Sequence, residues 1–110
     1  MESRKVTLWS SKKGENWSNL WAYVDDDGDL VFEGQDLGPV TAPVSSDGEY
    51  EYYYTIAKKD IPALVKALGG PVGEDILELL ERNWSGEKSW ELKRMIHEKV
   101  VPSEFFCYGG

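Results

Sequence analysis

The sequence predicts an α+β fold, in which an antiparallel β-sheet of four to five strands packs against two to three helices. β-Branched and aromatic residues, separated by turn signals, dominate residues 1–57, whereas residues 60–100 carry apolar residues at helical spacing. Strands followed by helices are typical of a sheet with one face covered by helices. The length of 110 residues suits one domain, spanning 1–110, whose last element is a short strand at 103–108.

Four stretches predict an N-terminal meander of strands. The first is KVTLWSSK at 5–12, and the second, WSNLWAYV, begins at Trp17. The third is LVFEG, joined to the second by DDDGD, in which Asp27 and Gly28 suit the positive φ angles of a tight hairpin turn. After a loop rich in Pro, Gly and Ser, EYEYYYTIA predicts the fourth strand at 49–57.

Three helices are predicted after the fourth strand. Asp60 can cap the first helix and Pro62 suits its first turn. The stretch EDILELLERNW predicts the second helix, and KSWELKRMIHEKV predicts the third, which Pro102 would end. The side chains expected to be buried on these helices are Ile61, Leu64, Val65, Leu68, Ile76, Leu77, Leu80, Trp84, Leu92, Met95, Ile96 and Val100.

Acidic residues are concentrated in one segment of the chain. Twenty acids oppose twelve bases, which gives a net charge of −8. Nine of the acids lie between Asp25 and Ala57, a segment without Lys or Arg. Such a field repels nucleic acid and anionic membranes and favours a basic partner.

The DDDGD stretch does not match a calcium-binding loop. An EF-hand needs oxygen ligands at its first position and a glutamate at its twelfth, but placing Gly28 at position 6 puts Tyr23 first and Gly34 last. The aspartates are therefore predicted to form a solvated turn. We expect no metal site and no cofactor.

No catalytic signature is found in the sequence, so a protein without enzymatic activity is predicted. His97 is expected on the exposed face of a helix, and Cys107 is expected as a small buried or half-buried residue of an edge strand. The pair Glu49 and Glu51 would share one side of a strand, as paired carboxylates for glycoside chemistry could. Such pairs are expected by chance in so acidic a chain.

Cellular location is suggested by two features. The chain has one cysteine, so it cannot form an internal disulfide, and a reducing compartment fits best. The N-terminal residues MESRKVTLWSS have no apolar core of a signal peptide, and no apolar run approaches the ~20 residues of a membrane span. The cytoplasm is the expected location.

The aromatic residues of the fourth strand allow two interpretations. Tyr50, Tyr52 and Tyr54 share one face of the strand, and Tyr53 shares the other with the glutamates. The three tyrosines could pack under the helices. Alternatively, acids and exposed aromatics together could form a contact surface for another protein.

Three short segments carry a resemblance to known proteins: EGQDLG at 33–38, GEYEYYYTI at 48–56 and VVPSEFFCYG at 100–109. They resemble a group of small bacterial proteins in which a hairpin strand ends in a GQDLG-like segment and a Pro-x-E-F tail closes the chain. Proteins of this size and acidity are similar to immunity proteins of bacterial toxin systems. The resemblance implies an inhibitor that occludes a basic nuclease or another toxin domain.

The leading hypothesis is therefore a non-enzymatic acidic binding protein, of the immunity type, that occludes a basic toxin or nuclease. One alternative is an inhibitor encoded by a phage or plasmid that mimics nucleic acid. Two others are an enzyme of unrecognised type that uses Glu49, Glu51 or Asp36, and a small-ligand domain built on the Trp and Tyr residues. The predicted partner-binding residues are Asp25, Asp26, Asp27, Asp29, Glu33, Asp36, Glu49, Glu51 and Tyr53.

Overall fold

A computed structural model describes residues 4–14, 16–37 and 49–109 of the chain. Within these ranges the chain forms a five-stranded antiparallel sheet, in the order β1-β2-β3-β4-β5, and three α-helices. The predicted α+β fold is confirmed. The strands are β1 (Lys5–Lys13), β2 (Asn16–Val24), β3 (Leu30–Leu37), β4 (Glu49–Ile56) and β5 (Glu104–Gly109), and the helices are α1 (Ile61–Ala67), α2 (Ile76–Asn83) and α3 (Lys88–His97).

The sheet is a meander whose strand register sorts side chains onto two faces. In β2, Leu20 and Ala22 are buried on the face that carries the helices, whereas Trp21 lies on the opposite face. β2 pairs with β3 without interruption, and Ala22 lies opposite Phe32, which is also buried. In β1 the register shifts between Thr7 and Trp9, which marks a β-bulge or irregularity. The three helices therefore cover one face of the sheet, here named the helix face. None of them covers the other face, here named the open face.

The turn between β2 and β3 differs in detail from the predicted tight turn. Gly28 has a positive φ of 85°, but Asp27 does not. The Asp25 amide donates to the Asp29 carbonyl at 2.9 Å, and the Gly28 amide donates to the Asp25 carbonyl at 3.0 Å. These bonds enclose three residues, and glycine at the end of such a loop is favoured because it adopts positive φ without a Cβ clash.

The helices lie at their predicted positions, but three expectations about their ends are wrong. The Asp75 side chain caps α2 by accepting the Leu77 amide at 3.1 Å, whereas Asp60 precedes α1 without a side-chain capping bond. Helix α3 ends at His97, three residues before the predicted end, and Lys99 has a positive φ. As a result Val100 is 44% exposed and Val101 is buried in its place. Leu79 of α2 was not predicted to be buried, yet it is.

The tyrosines on the helix face of β4 pack against the core, as the first interpretation of this strand predicts. Tyr52 and Tyr54 are buried on the helix face, and Tyr50 is partly buried against the same core. Gly34 lies under Tyr52 in the register of β3 and β4, and a Cβ at this position would overlap the Tyr52 ring. Among the described residues, no helix has the length and apolar character needed to cross a membrane.

The contact between Gly34 and Tyr52 predicts a large effect of a small substitution. Gly34→Ala is expected to lower the free energy of unfolding by about 1–3 kcal/mol or more, because the added methyl group displaces a buried ring. Urea denaturation measures this change. In a Tyr52→Leu background the same substitution should be markedly less costly, since the ring is gone. Equal costs in the two backgrounds would contradict the proposed contact.

Candidate partner-binding surface

Six acidic side chains gather at one end of the sheet, where the β2–β3 turn, the segment after β4 and the start of β5 come together. We name this group the acidic end. Three of its members, Asp29, Asp60 and Glu104, line a groove of about 230 Å³ whose other walls include Thr55 and Pro102. The acidic end consists of Asp25, Asp26, Asp27, Asp29, Asp60 and Glu104.

Two of the six carboxylates hold the local backbone in place. Asp25 Oδ1 accepts the amides of Asp27 at 2.9 Å and Asp29 at 3.0 Å, which closes the turn. Asp29 Oδ1 accepts the Lys58 amide at 2.9 Å and so ties the turn to the segment after β4. Asp26 is exposed, as is Asp27. The turn thus presents these two carboxylates to solvent from a backbone fixed by their neighbours.

None of the six acids forms an ion pair with a Lys or Arg in the part of the chain that the structure describes. Five acids elsewhere in the described chain form ion pairs. Glu33 lies 3.4 Å from Lys5, and Glu81 lies 2.9 Å from Arg4. The acidic end is therefore a concentration of negative charge that the described part of the chain does not neutralise by ion pairing.

Three of these carboxylates are close enough together to raise the question of a metal ion. One oxygen each from Asp25, Asp27 and Asp29 lies within 4.8 Å of the others. The amide bonds to Asp25 account for this closeness, because they draw its side chain over the turn. We propose no metal site from this cluster.

The open face of the sheet carries a row of aromatic and acidic residues. Trp21, Glu33, Tyr53 and Phe106 lie opposite one another across strands β2 to β5. Lys5 Nζ lies 4.7 Å from the centre of the Trp21 ring and 3.4 Å from Glu33 Oε1. Tyr53 and Phe106 are in ring contact, with centroids 6.4 Å apart, and Phe106 is 62% exposed.

Aromatic exposure on the open face extends to the far end of β2. Trp17 is 43% exposed, and Lys12 Nζ lies 4.5 Å from the centre of its ring. The open face joins the acidic end through Glu104, which pairs with Thr55 on this side of the sheet. Acidic and aromatic surfaces are thus continuous.

The residues predicted to bind a partner do not form one patch. The four aspartates of the turn lie at the acidic end, whereas Glu33, Glu51 and Tyr53 lie on the open face. Tyr53 donates a hydrogen bond to Glu51 Oε2 at 3.0 Å. Asp36 lies on the helix face, about 23 Å along the strand from Asp29. The backbone of Glu49 begins β4, but its side chain lies outside the described part of the structure.

Sequence reasoning missed two members of the acidic end, Asp60 and Glu104. The signal for them was present in the predicted strand order. In a meander, the end of β4 lies beside the β2–β3 turn, and an antiparallel fifth strand must start at the same end. Acids at these two points are therefore expected to lie close to the turn aspartates.

The two side chains with nucleophile or base chemistry have separate partners. His97 is exposed, and its Nδ1 lies 3.1 Å from the Tyr54 hydroxyl. Cys107 lies on edge strand β5 as predicted, but it is exposed rather than buried. Burial, followed by a hydrogen bond with Cys107, raises the pKa of Tyr50 to about 12.

Comparison of the chain with protein-family models, with curated proteins and with solved structures gives no match. The resemblance to immunity proteins therefore stays a prediction.

The different roles of neighbouring aspartates in the turn can be measured. Asp25→Ala is expected to lower the free energy of unfolding by about 1–2 kcal/mol, because two amides lose their acceptor. Asp26→Ala, the matched control, removes the same charge from an exposed side chain and should change stability by less than about 0.5 kcal/mol. Asp25→Asn keeps an oxygen acceptor and should restore most of the loss. Equal effects of the two alanine variants in urea denaturation would contradict this assignment.

Proposed function

We propose that the protein is a non-enzymatic binding protein that docks a basic partner protein through its acidic end and occludes the basic site of that partner. The expected setting is inhibition of the immunity type, in which the partner is a toxin or nuclease domain. The observation that carries the proposal is the group of six carboxylates at one end of the sheet without ion pairs in the described chain.

Unpaired carboxylates suit this role for an energetic reason. A carboxylate such as Glu33, already beside Lys5, would have to exchange an internal partner for an external one. Within the described chain, Asp26 and Asp27 have no such ion-pair partner to lose. An individual exposed ion pair contributes only about 0.2–1 kcal/mol, but a charged cluster can raise the association rate by about 10 to 10³. The acidic end is therefore proposed to govern the rate of encounter more than the final affinity.

The open face supplies the apolar contacts that the acidic end lacks. Phe106 and Trp17 are exposed aromatic side chains, and burial of such rings contributes much of the affinity of protein interfaces. Glu104 connects this face to the acidic end. A partner that covers both would be steered by the carboxylates and retained by the aromatic residues. A stable interface of this kind needs about 800 Å² on each partner.

The arrangement of charge on this protein favours a partner with a compact basic patch over a partner with an extended groove that binds nucleic acid. A nucleic-acid mimic needs carboxylates along an extended path. Here six acids without ion pairs in the described chain gather at one end, and Asp36 and Glu33 lie on opposite faces of the sheet. We therefore favour docking of a compact basic surface over mimicry of nucleic acid. The mimicry hypothesis is tested by asking whether nucleic acid competes with this protein for the partner.

Charge reversal at the turn tests the steering role. The partner is first identified by affinity capture and purified, and its association rate is then measured by stopped flow at several salt concentrations. Asp26→Lys with Asp27→Lys is expected to slow association about tenfold or more at low salt and to flatten the salt dependence.

The matched control carries the same change in net charge elsewhere. Glu78→Lys with Glu87→Lys alters two exposed acids on the helical side of the molecule. This variant should slow association far less. If both variants slow association equally, net charge rather than the acidic end steers the partner, and the proposal is wrong.

Truncation on the open face tests the aromatic contacts separately. Phe106→Ala removes a ring that is 62% exposed, so the free protein should keep its fold. We expect the partner to dissociate about tenfold faster or more, with little change in the association rate. Trp90→Ala, which removes a ring of similar exposure on α3, should leave the dissociation rate unchanged. An effect confined to Trp90→Ala would move the interface to the helices.

A further inference from the structure

A small cleft lies on the helix face, between the sheet and the start of α3. Its volume is about 30 Å³, and its walls include Trp9, Tyr52, Ser89, Trp90 and Lys93. By this measure one water molecule needs about 10–15 Å³, so the cleft admits a single small polar group. It lies toward the far end of the sheet from the acidic end, since Ser18 at its edge is about 20 Å along β2 from Val24.

One donor in the cleft wall has no acceptor. Trp9 Nε1 is buried, and it lacks a hydrogen-bond partner in the described structure. The Trp9 ring is fixed by an edge contact with Trp90, at 5.4 Å between ring centres. A buried N–H that loses water without gaining another acceptor is costly, so an oxygen atom supplied from outside the chain is expected at this position.

A positively charged side chain, Lys93, lines the same cleft. Lys93 is half-buried and forms no ion pair with the acids that the structure describes. Its Nζ donates to the Tyr52 hydroxyl at 2.7 Å and lies 4.3 Å from the centre of that ring. An ammonium group has three N–H donors, so two remain for another acceptor. The contact thus orients an ammonium group whose charge is not balanced by an ion pair.

Two other polar groups of the cleft have partners within the chain. Ser89 is buried and donates its hydroxyl to the Gly86 carbonyl at 2.6 Å. Burial, followed by the charge of Asp36, raises the pKa of Tyr52, so its hydroxyl stays protonated and can accept from Lys93. Asp36 places a negative charge on the same face, which weakens the binding of an anion without removing the two donors.

We propose that this cleft binds one carboxylate group, with one oxygen accepting from Trp9 Nε1 and the charge balanced by Lys93. Because the cleft holds a single group, the body of the ligand must remain outside it. Trp90, which is 61% exposed at the rim, offers the surface on which that body would lie. The ligand is a small organic acid or the side chain of an acidic residue. This site is independent of the proposed docking of a basic partner.

The indole N–H resonances of the ¹⁵N-labelled protein provide the test, because they report directly on the unpaired donor. Trp9→Phe identifies the Trp9 resonance. Addition of sodium acetate is expected to shift that resonance downfield and to saturate, whereas sodium chloride at equal ionic strength should not shift it. Lys93→Met should weaken acetate binding about tenfold or more. Lys66→Met, the same substitution at an exposed position on α1, should leave it unchanged.

Two outcomes would overturn the proposal. One is a Trp9 resonance whose shift does not saturate with acetate and whose cross-peak to a long-lived water molecule persists. The acceptor of Trp9 Nε1 would then be water. The other is equal acetate binding by the native chain and Lys93→Met. If Lys93→Met does not fold, Lys93→Arg keeps the charge and should retain binding, and its failure to bind in a folded state counts against the proposal.

The source of the carboxylate is distinguished by two further probes. Phenylacetate carries a ring that can lie on Trp90, and a glutamate residue blocked at both ends presents an acidic side chain. Tighter binding of phenylacetate than of acetate, lost in Trp90→Ala, indicates a small aromatic acid. Tighter binding of the blocked glutamate indicates an acidic residue of a protein. Either result supports a carboxylate site. If neither probe binds, the proposal is wrong.

Discussion

The register between β2 and β3 is the constraint on which both surfaces of this protein depend. Eight consecutive pairs join the two strands, from Trp17 opposite Leu37 to Val24 opposite Leu30. Because side chains alternate with a period of two, this register sends Ala22 and Phe32 to the core and Trp21 and Glu33 to the open face. A slip of one residue would exchange the two sets. The Asp25 carboxylate fixes this register at the turn by binding two amides.

The acidic turn therefore combines two roles in adjacent residues. Asp25 and Asp29 each accept backbone amides with one carboxylate oxygen. These hydrogen bonds hold Asp26 and Asp27 in fixed exposed positions. Rigid presentation matters because a flexible loop would lose conformational entropy when a partner bound it. The structural aspartates would thus reduce the entropy cost of the proposed binding through the others.

Local sequence patterns predicted the elements, but not the contacts between them. Spacing identified Leu64, Val65, Leu92 and Ile96 as buried, because period and apolarity decide these positions locally. The exchange of Val100 for Val101 depends on where α3 ends, and the positive φ of Lys99 that follows it has no signal in the sequence.

The prediction of site residues from the sequence was limited in the same way, and more strongly. The turn aspartates could be predicted because they are contiguous in the chain. Asp60 and Glu104 lie at the acidic end only because of the order of the strands. Asp36 does not lie on the predicted surface, because the alternation of side chains along β3 places it on the helix face. The cleft at Trp9 and Lys93 joins residues 84 positions apart, so no local pattern could indicate it.

Tyr52 links the core to the proposed carboxylate site, and this link determines how the two can be separated. Its ring covers Gly34 in the sheet, and its hydroxyl accepts from Lys93 on α3. Substitution of Tyr52 would therefore disturb packing and charge placement together. Lys93 and Trp90 both belong to α3, and neither is part of the buried core, so their removal changes the cleft without altering the strand register. The acidic end depends on that register and on the turn amides, not on α3. The two proposed sites can therefore be altered independently by substitution.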